Sequence, residues 1–579
     1  MNQAFPRARH LELSLAPHDG TASAGASDAS EIQARAEGSQ ALFVDAISLP
    51  VLAPPPPPGA KIEMSPALPR AGEVALWRAR GADDSCLDED GGRAGGAVPV
   101  LCPSSPRGRL EVLRAVSEAA ARTDAVVLSG IDRWYALGQG AGFCPSCERA
   151  LVEAIRSSYG EQVQPFAALE PLRHSAHATT PLPFAGMRLA TRLSEPLSLV
   201  RAAALAARDS ARKTRNAEIS VLARASVLSP IALLSARHLD GLVLALRSTD
   251  AYEALLPLLC MRAAMGERAA IAELPATARP DEVRQLAALA TACDTDVLLP
   301  PEASPEAKAA LLGHRRFAAL LREKFRPAKP LSDVDVLIAP LADHQSHGQH
   351  LRASSFAVAA LARAQLQIAV RLDAPVPVRE GARLLVLAGA ESLPDALAPA
   401  LRRHAETGGD LLLIGRCDRV DEEGRVLGPL FPEAKPGLER LGEGRLFWIA
   451  PPADAPAPFD WGSLEAPLQK ALRELLARTP RTLTISGRGH LWARSYLDPE
   501  RKLDVHLVNL ELRDTGFVPA QGVLLQIAGA AAGGGRTGYW FAHDRGGKEG
   551  ERITLNPSGF SVSTVLPAVG ASALLSVPR

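Results

Sequence analysis

Over the first 326 positions, short apolar runs alternate with amphipathic stretches. The runs are Leu11–Leu15, Ala41–Ile47, Ala125–Leu128, Ile219–Leu222, Leu242–Leu246, Ala269–Ala272 and Asp296–Leu299. Between them, stretches such as Arg107–Arg122 and Ser146–Tyr159 repeat apolar residues three and four apart, as a helix with one buried face does. Strands interleaved with helices predict a parallel sheet, because each crossover helix covers one sheet face. About seven such units predict a (β/α)8 barrel, complete or lacking a unit. The weak stretch is Ser48–Val100, with five consecutive prolines at Pro54–Pro58 and a glycine-rich run at Gly91–Gly96. A proline run cannot pair in a central strand, so this stretch reads as loop or barrel rim.

The pattern restarts after Pro327–Pro330. Val334–Ile338, Gln367–Val370, Leu384–Ala388 and Leu411–Ile414 read as buried strands, with helices over Ser355–Gln365 and Ala396–Thr407. The second helix is stopped by Gly408 and Gly409. This order predicts a small doubly wound, flavodoxin-like α/β domain. From Arg481 onward the signal changes to short alternating segments, Thr482–Ser486, Asp504–Leu510, Gly522–Ile527 and Phe560–Leu566, separated by turn residues. That is the signature of a β-sandwich. A helix over Glu465–Arg478 bridges the last two zones. The expected domains are residues 1–326, 327–455 and 456–579.

Composition narrows the function. Of 579 residues, 64 are basic and 64 acidic, and 47% are hydrophobic. A neutral chain argues against a nucleic-acid or anionic-membrane partner, since both need a surplus of Lys and Arg. The sequence has no apolar run of membrane-spanning length, and its start lacks the basic-then-apolar pattern of a secretory signal. A cytoplasmic location is the expectation. Seven cysteines are too few for a disulfide scaffold and fit a reducing compartment. Aromatic residues are scarce, at 4%.

Particular residues point to a family. Val100-Leu-Cys-Pro-Ser-Ser-Pro106, Gly130-Ile-Asp-Arg-Trp134 and Gly142-Phe-Cys-Pro-Ser-Cys-Glu148, followed by Tyr159-Gly160, resemble segments of family 42 β-galactosidases and of glycoside hydrolases related to them. The second zone is similar to the β-galactosidase trimerisation domain, an amidotransferase-like fold, best at Leu384–Ala388 and Thr407–Leu412. Arg494–Asn509 resembles the sandwich that follows it. The resemblance implies a glycosidic substrate, a two-carboxylate reaction without a catalytic cofactor, and a homo-oligomer, a trimer. The alternative is a catalytically inactive, carbohydrate-binding or scaffold relative.

Hydrolysis of a glycoside needs two carboxyl groups at the C-terminal ends of barrel strands. Asp132 and Glu273, each just after an apolar run, are the best pair. Acidic residues also end strands as ordinary helix caps, which is the bland reading of both. Asp45 occupies a similar place, and Glu12 lies beside His10 where related proteins carry His-Leu-Asp. Trp134 and Tyr135 form the one aromatic pair near a candidate carboxylate and could stack a sugar ring, with Arg133 as a polar contact. The family's Asn-Glu dipeptide is absent from the whole chain, and Asp132-Arg133 stands in that region. Either Asp132 serves in a different geometry, or hydrolysis has been lost.

Cys144 and Cys147 have the spacing that lets two thiolates share one tetrahedral Zn2+, and Cys102 could fold back as a third ligand. Position 142, where the family would supply a fourth cysteine, is Gly. A structural zinc and a set of ordinary thiols are the two readings. His344, His347 and His350 also invite a metal reading, which Gly348 weakens by interrupting a helix. The turn after Leu384–Ala388 holds no cysteine, so the amidotransferase-like zone is expected to serve in assembly rather than catalysis.

Overall fold

The computed structural model describes residues 102–123, 125–132, 135, 144–160, 185–324, 329–346, 348–373, 382–420, 426–450, 459–477, 481–488, 490–497, 502–514, 516–528, 536–543, 550–559 and 561–578, with the strands at 13–14, 33–34 and 41–45. The chain divides into two compact units. One is Met1–Ala245 with Glu267–Ala269 and Asp421–Arg425, and the other is Leu246–Gly266, Ala270–Val420 and Val426–Arg579.

The first unit is a parallel sheet under helices. Its strands are β1 (Ala41–Asp45), β2 (Ala125–Ser129), β3 (Ser220–Ala225) and β4 (Gly241–Ala245), hydrogen-bonded in that order. Val126, Val127 and Leu128 of β2 are all buried, as expected of a strand covered on both faces. The helices are α1 (Pro106–Ala120), α2 (Pro145–Tyr159), α3 (Ala185–Arg215) and α4 (Pro230–Ser235). Prolines at the first turns of α1, α2 and α4 cost nothing, because those N–H groups have no helical partner.

One predicted strand behaves differently. Leu13–Ser14, within the run Leu11–Leu15, pairs antiparallel with Gln33–Ala34 instead of joining the parallel sheet. Its reading Leu-Glu-Leu-Ser-Leu alternates apolar and polar, which suits a half-solvated antiparallel ladder better than a strand buried on both faces.

The second unit begins with α5 (Ala251–Met265), β5 (Ala269–Glu273), α6 (Pro280–Ala292), β6 (Asp296–Leu298) and α7 (Pro305–Lys324). Strands β5 and β6 pair in parallel, with Glu273 opposite Leu298. After β7 (Lys329–Pro330) comes a doubly wound sheet: β8 (Val334–Ile338), α8 (Gln349–Arg363), β9 (Ile368–Leu372), β10 (Leu384–Ala388), α9 (Ala398–Glu406), β11 (Asp410–Ile414), β12 (Gly437–Leu441) and β13 (Gly444–Ile449). The strand order is β9-β8-β10-β11-β13-β12, with only β12 antiparallel at the edge. This is the flavodoxin-like order 2-1-3-4-5 with one added edge strand.

Helix α8 starts six residues before the predicted Ser355. Gly348 takes φ +84° as its N-cap, a left-handed conformation that favours glycine. His350 therefore lies inside the helix.

Helix α10 (Glu465–Leu476) leads into two antiparallel sheets. One has the order β14 (Leu483–Arg488), β17 (Gln521–Ala528), β21 (Ser561–Val565), β20 (Asn556–Ser558). The other has the order β19 (Glu551–Thr554), β18 (Thr537–Ala542), β22 (Ser572–Val577), β16 (Leu503–Asn509), β15 (Leu491–Leu497), β7. Strand β14 turns only Leu483 and Ile485 to the core and leaves Thr484 and Ser486 exposed. Strand β15 lacks that alternation, because its outer face is buried as well. Trp492 Nε1 donates to Leu366 O (3.3 Å), Arg494 Nη1 to Ile368 O (3.2 Å) and Tyr496 Oη to Ala292 O (2.6 Å).

The two sheets share a core that includes Leu503, Val505, Leu507, Leu525, Trp540 and Leu575. On the far side of β16, His506 packs edge-on to Tyr496 (ring centroids 5.5 Å apart), and the Arg494 guanidinium lies over the same Tyr496 ring. Burial, helped by the nearby Arg494 charge, pulls the His506 imidazole down to about 4. In the doubly wound sheet, the buried Asp410 carboxylate meets Arg445 Nε (3.0 Å) and Nη2 (2.6 Å) and Arg383 Nε (3.3 Å). Arg445 also donates to Glu474 O and Leu475 O, so one ion cluster fastens the end of α10 to the sheet.

These buried charges set the stability of the second unit. Replacing one partner of a buried pair strands the other, so Arg445→Met should lower stability by about 3 kcal/mol, read by calorimetry. An unchanged melting temperature would refute the cluster's role. His506 has a folded pKa below its unfolded value of about 6.5, so it binds its proton more readily when unfolded. Its contribution is present above pH of about 6.5 and is lost as pH falls towards 4, on the order of 3 kcal/mol in all. A His506→Leu variant should show a shallower fall in melting temperature between pH of about 7 and about 4.5 than the parent chain.

Candidate functional site

In the first unit, strand β2 ends at Ser129 and the chain turns at Gly130, which adopts φ +69°. The turn brings the Asp132 carboxylate inward, to 1% exposure. Its Oδ2 accepts three hydrogen bonds from the loop after β3: Ser226 N (2.8 Å), Ser226 Oγ (2.7 Å) and Val227 N (2.8 Å). Oδ1 is buried and accepts no hydrogen bond among the described residues. Burial raises the carboxyl's pKa, while the Ser226 and Val227 donors oppose that rise. One oxygen is thus clamped, and the other is where a proton would sit.

Nothing in the sequence distinguishes Ser226. It lies 94 residues from Asp132 in the chain, and only the parallel pairing of β2 with β3 makes the two neighbours. Asp45 is the last residue of β1, in register with Ser129 of β2, so the ends of β1 and β2 lie side by side. Tyr135 N donates to Asp132 O (3.0 Å), closing a turn after the carboxylate. His10, Glu12, Arg133 and Trp134 lie outside the described residues.

In the second unit, Glu273 is the last residue of β5 and is 8% exposed. Its carbonyl accepts from Leu246 N (2.8 Å), and the next residue, Leu274, donates to Leu298 O (2.9 Å). Like Asp132 in the first unit, Glu273 stands at the C-terminal end of a parallel strand, where α/β folds carry their ligand sites.

The cysteines do come together. Cys102 lies just before α1, and Cys144 is the N-cap of α2 with Cys147 in its first turn. Cys102 Sγ is 3.0 Å from Cys144 Sγ and 3.3 Å from Cys147 Sγ, and all three are buried. Hydrogen bonds from Cys102 and then Cys147 pull the Cys144 thiol down to about 3, and its hydrogen bond with Cys144 pushes Cys102 up. Of the three, Cys144 is the thiol whose proton is most readily lost, and it sits at the helix N-terminus, where the helix dipole favours negative charge. The three sulfurs lie within 4.8 Å of one another, and among the described residues no His, Asp, Glu or further Cys joins them. The donor set fits three of the four positions of a tetrahedral thiophilic ion.

Two further residues stand beside the cysteines and were not among the sequence candidates. Arg188 and Arg192, one turn apart on α3, are both buried near Cys147. Burial lowers them to about 9 and about 10, the Cys147 sulfur acting in the opposite sense, and both stay charged at neutral pH. Their spacing of four is the cue, since it puts two cations on one helix face.

The histidine run divides. His350 is wholly buried between strands: Ala339 N donates to its Nε2 (3.0 Å), and its Nδ1 lies 2.6 Å from Ala388 O. Both ring nitrogens thus serve the backbone, which leaves neither for a metal. His344 is buried at the end of the short helix before α8, and His347 lies outside the described residues. Cys260, Cys293 and Cys417 are buried thiols whose pKa values burial raises. Among the described residues, no helix is long and apolar enough to cross a membrane.

No protein-family model matches the chain, and no curated protein matches it in sequence. Solved structures do match in shape. A β-galactosidase from Bacillus circulans sp. alkalophilus is similar over 87% of this chain and 86% of its own, at 11% identity and TM-score 0.59. α-L-Fucosidase isoenzyme 2 from Paenibacillus thiaminolyticus is similar over 88% and 86%, at 14% identity and TM-score 0.58. A catalytic mutant of a GH42 β-galactosidase from G. stearothermophilus is similar over 85% of each chain, at 11% identity and TM-score 0.55. At these identities the likeness is one of fold: a parallel α/β region followed by further sheets, shared with β-galactosidases and related glycoside hydrolases.

Proposed function

We propose that the chain is a glycoside hydrolase that cleaves a glycosidic bond with Asp132 and Glu273 as its two carboxyl groups. The observation that carries this reading is their position: each stands at the end of a parallel strand, in a fold shared along most of its length with β-galactosidases. Asp132, buried and with Oδ1 free of hydrogen bonds among the described residues, is the proton donor to the leaving oxygen. Glu273 is the nucleophile or the base that activates water. Trp134 and Tyr135 stack the sugar, and His10, Glu12, Asp45 and Arg133 contact its hydroxyls. The parallel strands belong to a (β/α)8 barrel within residues 1–326. Residues 327–455 form an amidotransferase-like, trimerisation-type domain, and residues 456–579 the helix and sandwich. Cys102, Cys144 and Cys147 hold a structural zinc that ties the segment before α1 to the start of α2.

One observation favours a second reading, a carbohydrate-binding relative without turnover. The three donors on Asp132 Oδ2 hold the loop after β3, a sufficient structural reason for this carboxylate.

A screen of aryl glycosides with Asp132→Asn and Glu273→Gln separates the two. Hydrolysis in the parent chain that falls by about 100-fold or more in both variants supports the catalytic reading. Equal turnover in all three chains sinks the site assignment, and sugar binding by calorimetry without any turnover favours the second reading. Ser226→Ala removes a hydrogen bond that lowers the Asp132 pKa, so that pKa should rise. A proton donor with a higher pKa keeps its proton to higher pH, and the alkaline limb of the pH–rate profile should move up. An unmoved limb would exclude Asp132 as the proton donor.

A further inference from the structure

Cys102 Sγ touches both of its neighbours, Cys144 Sγ at 3.0 Å and Cys147 Sγ at 3.3 Å. A disulfide needs its sulfurs about 2 Å apart, so either gap closes by about 1 Å, within a small rotation of the side chains. Cys102 lies outside any helix or strand, and it can move towards a partner without breaking a regular element. The three sulfurs differ in access. A small cavity with room for about one water-sized molecule lies against Cys147, with Ser104, Leu151, Thr191 and Glu195 on its wall. Ser104, Thr191 and Glu195 are only half-buried, which puts the cavity at the surface of the unit. Cys102 and Cys144 do not line it, and they are 0% and 1% exposed.

We infer that the cluster is an oxidation site at which a hydroperoxide reaches Cys147 through the cavity and Cys102 closes a disulfide with it, leaving Cys144 as a thiol. The inference goes beyond the zinc reading above and does not need it. In the first step the Cys147 sulfur attacks one oxygen of hydrogen peroxide, the O–O bond breaks, and a sulfenic acid and one water form. The Cys102 thiol then displaces that hydroxyl as a second water, which carries off the thiol proton, and the S–S bond forms. Two thiols and one peroxide thus give one disulfide and two waters, the sulfurs losing the two electrons that the peroxide oxygens gain. Because the thiolate is the metal ligand, a Zn2+ held by the three sulfurs leaves unchanged when two of them couple, and solvent then supplies the two protons. The oxidised chain keeps the segment before α1 tied to the first turn of α2, by a covalent bond in place of the metal.

The full-length chain is reduced with a phosphine, divided into metal-stripped and Zn2+-loaded samples, and exposed to hydrogen peroxide under native conditions. Catalase ends the reaction before the free thiols are alkylated and the peptides are mapped without reduction. In the metal-free chain, one disulfide joining Cys102 to Cys147 is expected, with every other cysteine alkylated. Cys144→Ser should form the same disulfide, and Cys147→Ser should leave Cys102 unoxidised, with circular dichroism checking that each variant folds. The map of the parent chain decides the matter even if a variant does not fold. In the loaded sample, one Zn2+ should be released per disulfide, read with a chromogenic chelator. A chain that binds no Zn2+ and still forms the disulfide ends the zinc reading and supports this inference. Three intact thiols after peroxide in the metal-free chain, or a disulfide that includes Cys144, would overturn it.

Discussion

A carboxylate removed from water must be met by donors, and that requirement organises both units. Asp132 receives three hydrogen bonds from the loop after β3. Asp410 is met by Arg445 and Arg383, and Asp335 by Arg371, Ser332 and Ala382 N. Asp333 accepts from Gln367 N and Thr482 N, which joins the doubly wound sheet to the segment entering the first sandwich strand. An unpaired buried charge costs several kcal/mol, so each cluster forces one arrangement of the segments that supply its donors.

The same rule governs the candidate site. Asp132 is useful to chemistry only if one oxygen is held and the other can exchange a proton, and the Ser226–Val227 clamp creates that asymmetry. The clamp also gives Asp132 a structural purpose, which is why position alone does not separate catalysis from scaffolding. The cysteine cluster presents the corresponding problem with sulfur: three buried sulfurs meet at one point, and the buried arginines on α3 lie near Cys147.

Much of the architecture is legible in the sequence because burial leaves a periodic trace. Strands buried on both faces, such as Val334–Ile338, apolar except at Asp335, and Leu384–Ala388, apolar throughout, match the observed bounds. Leu11–Leu15 misleads because a short alternating segment is compatible with more than one kind of sheet. Helix α3 escapes a pattern reading, since its long polar face and internal Pro196 blur the helical period. His350 looks like a metal ligand because a histidine serving two backbone groups has the same sequence as one serving an ion.

The order of the zones, the acidic residues that follow the strands and the pairing of Cys144 with Cys147 all depend on local spacing, and so they can be read along the chain without coordinates. Which distant residues meet is a matter for the folded chain: Ser226 with Asp132, Cys102 with Cys144 and Arg445 with Asp410. Those partners are separated by 94, 42 and 35 positions. Nothing local requires them to be near, and only the packing of parallel strands and their covering helices brings their charges and donors within reach.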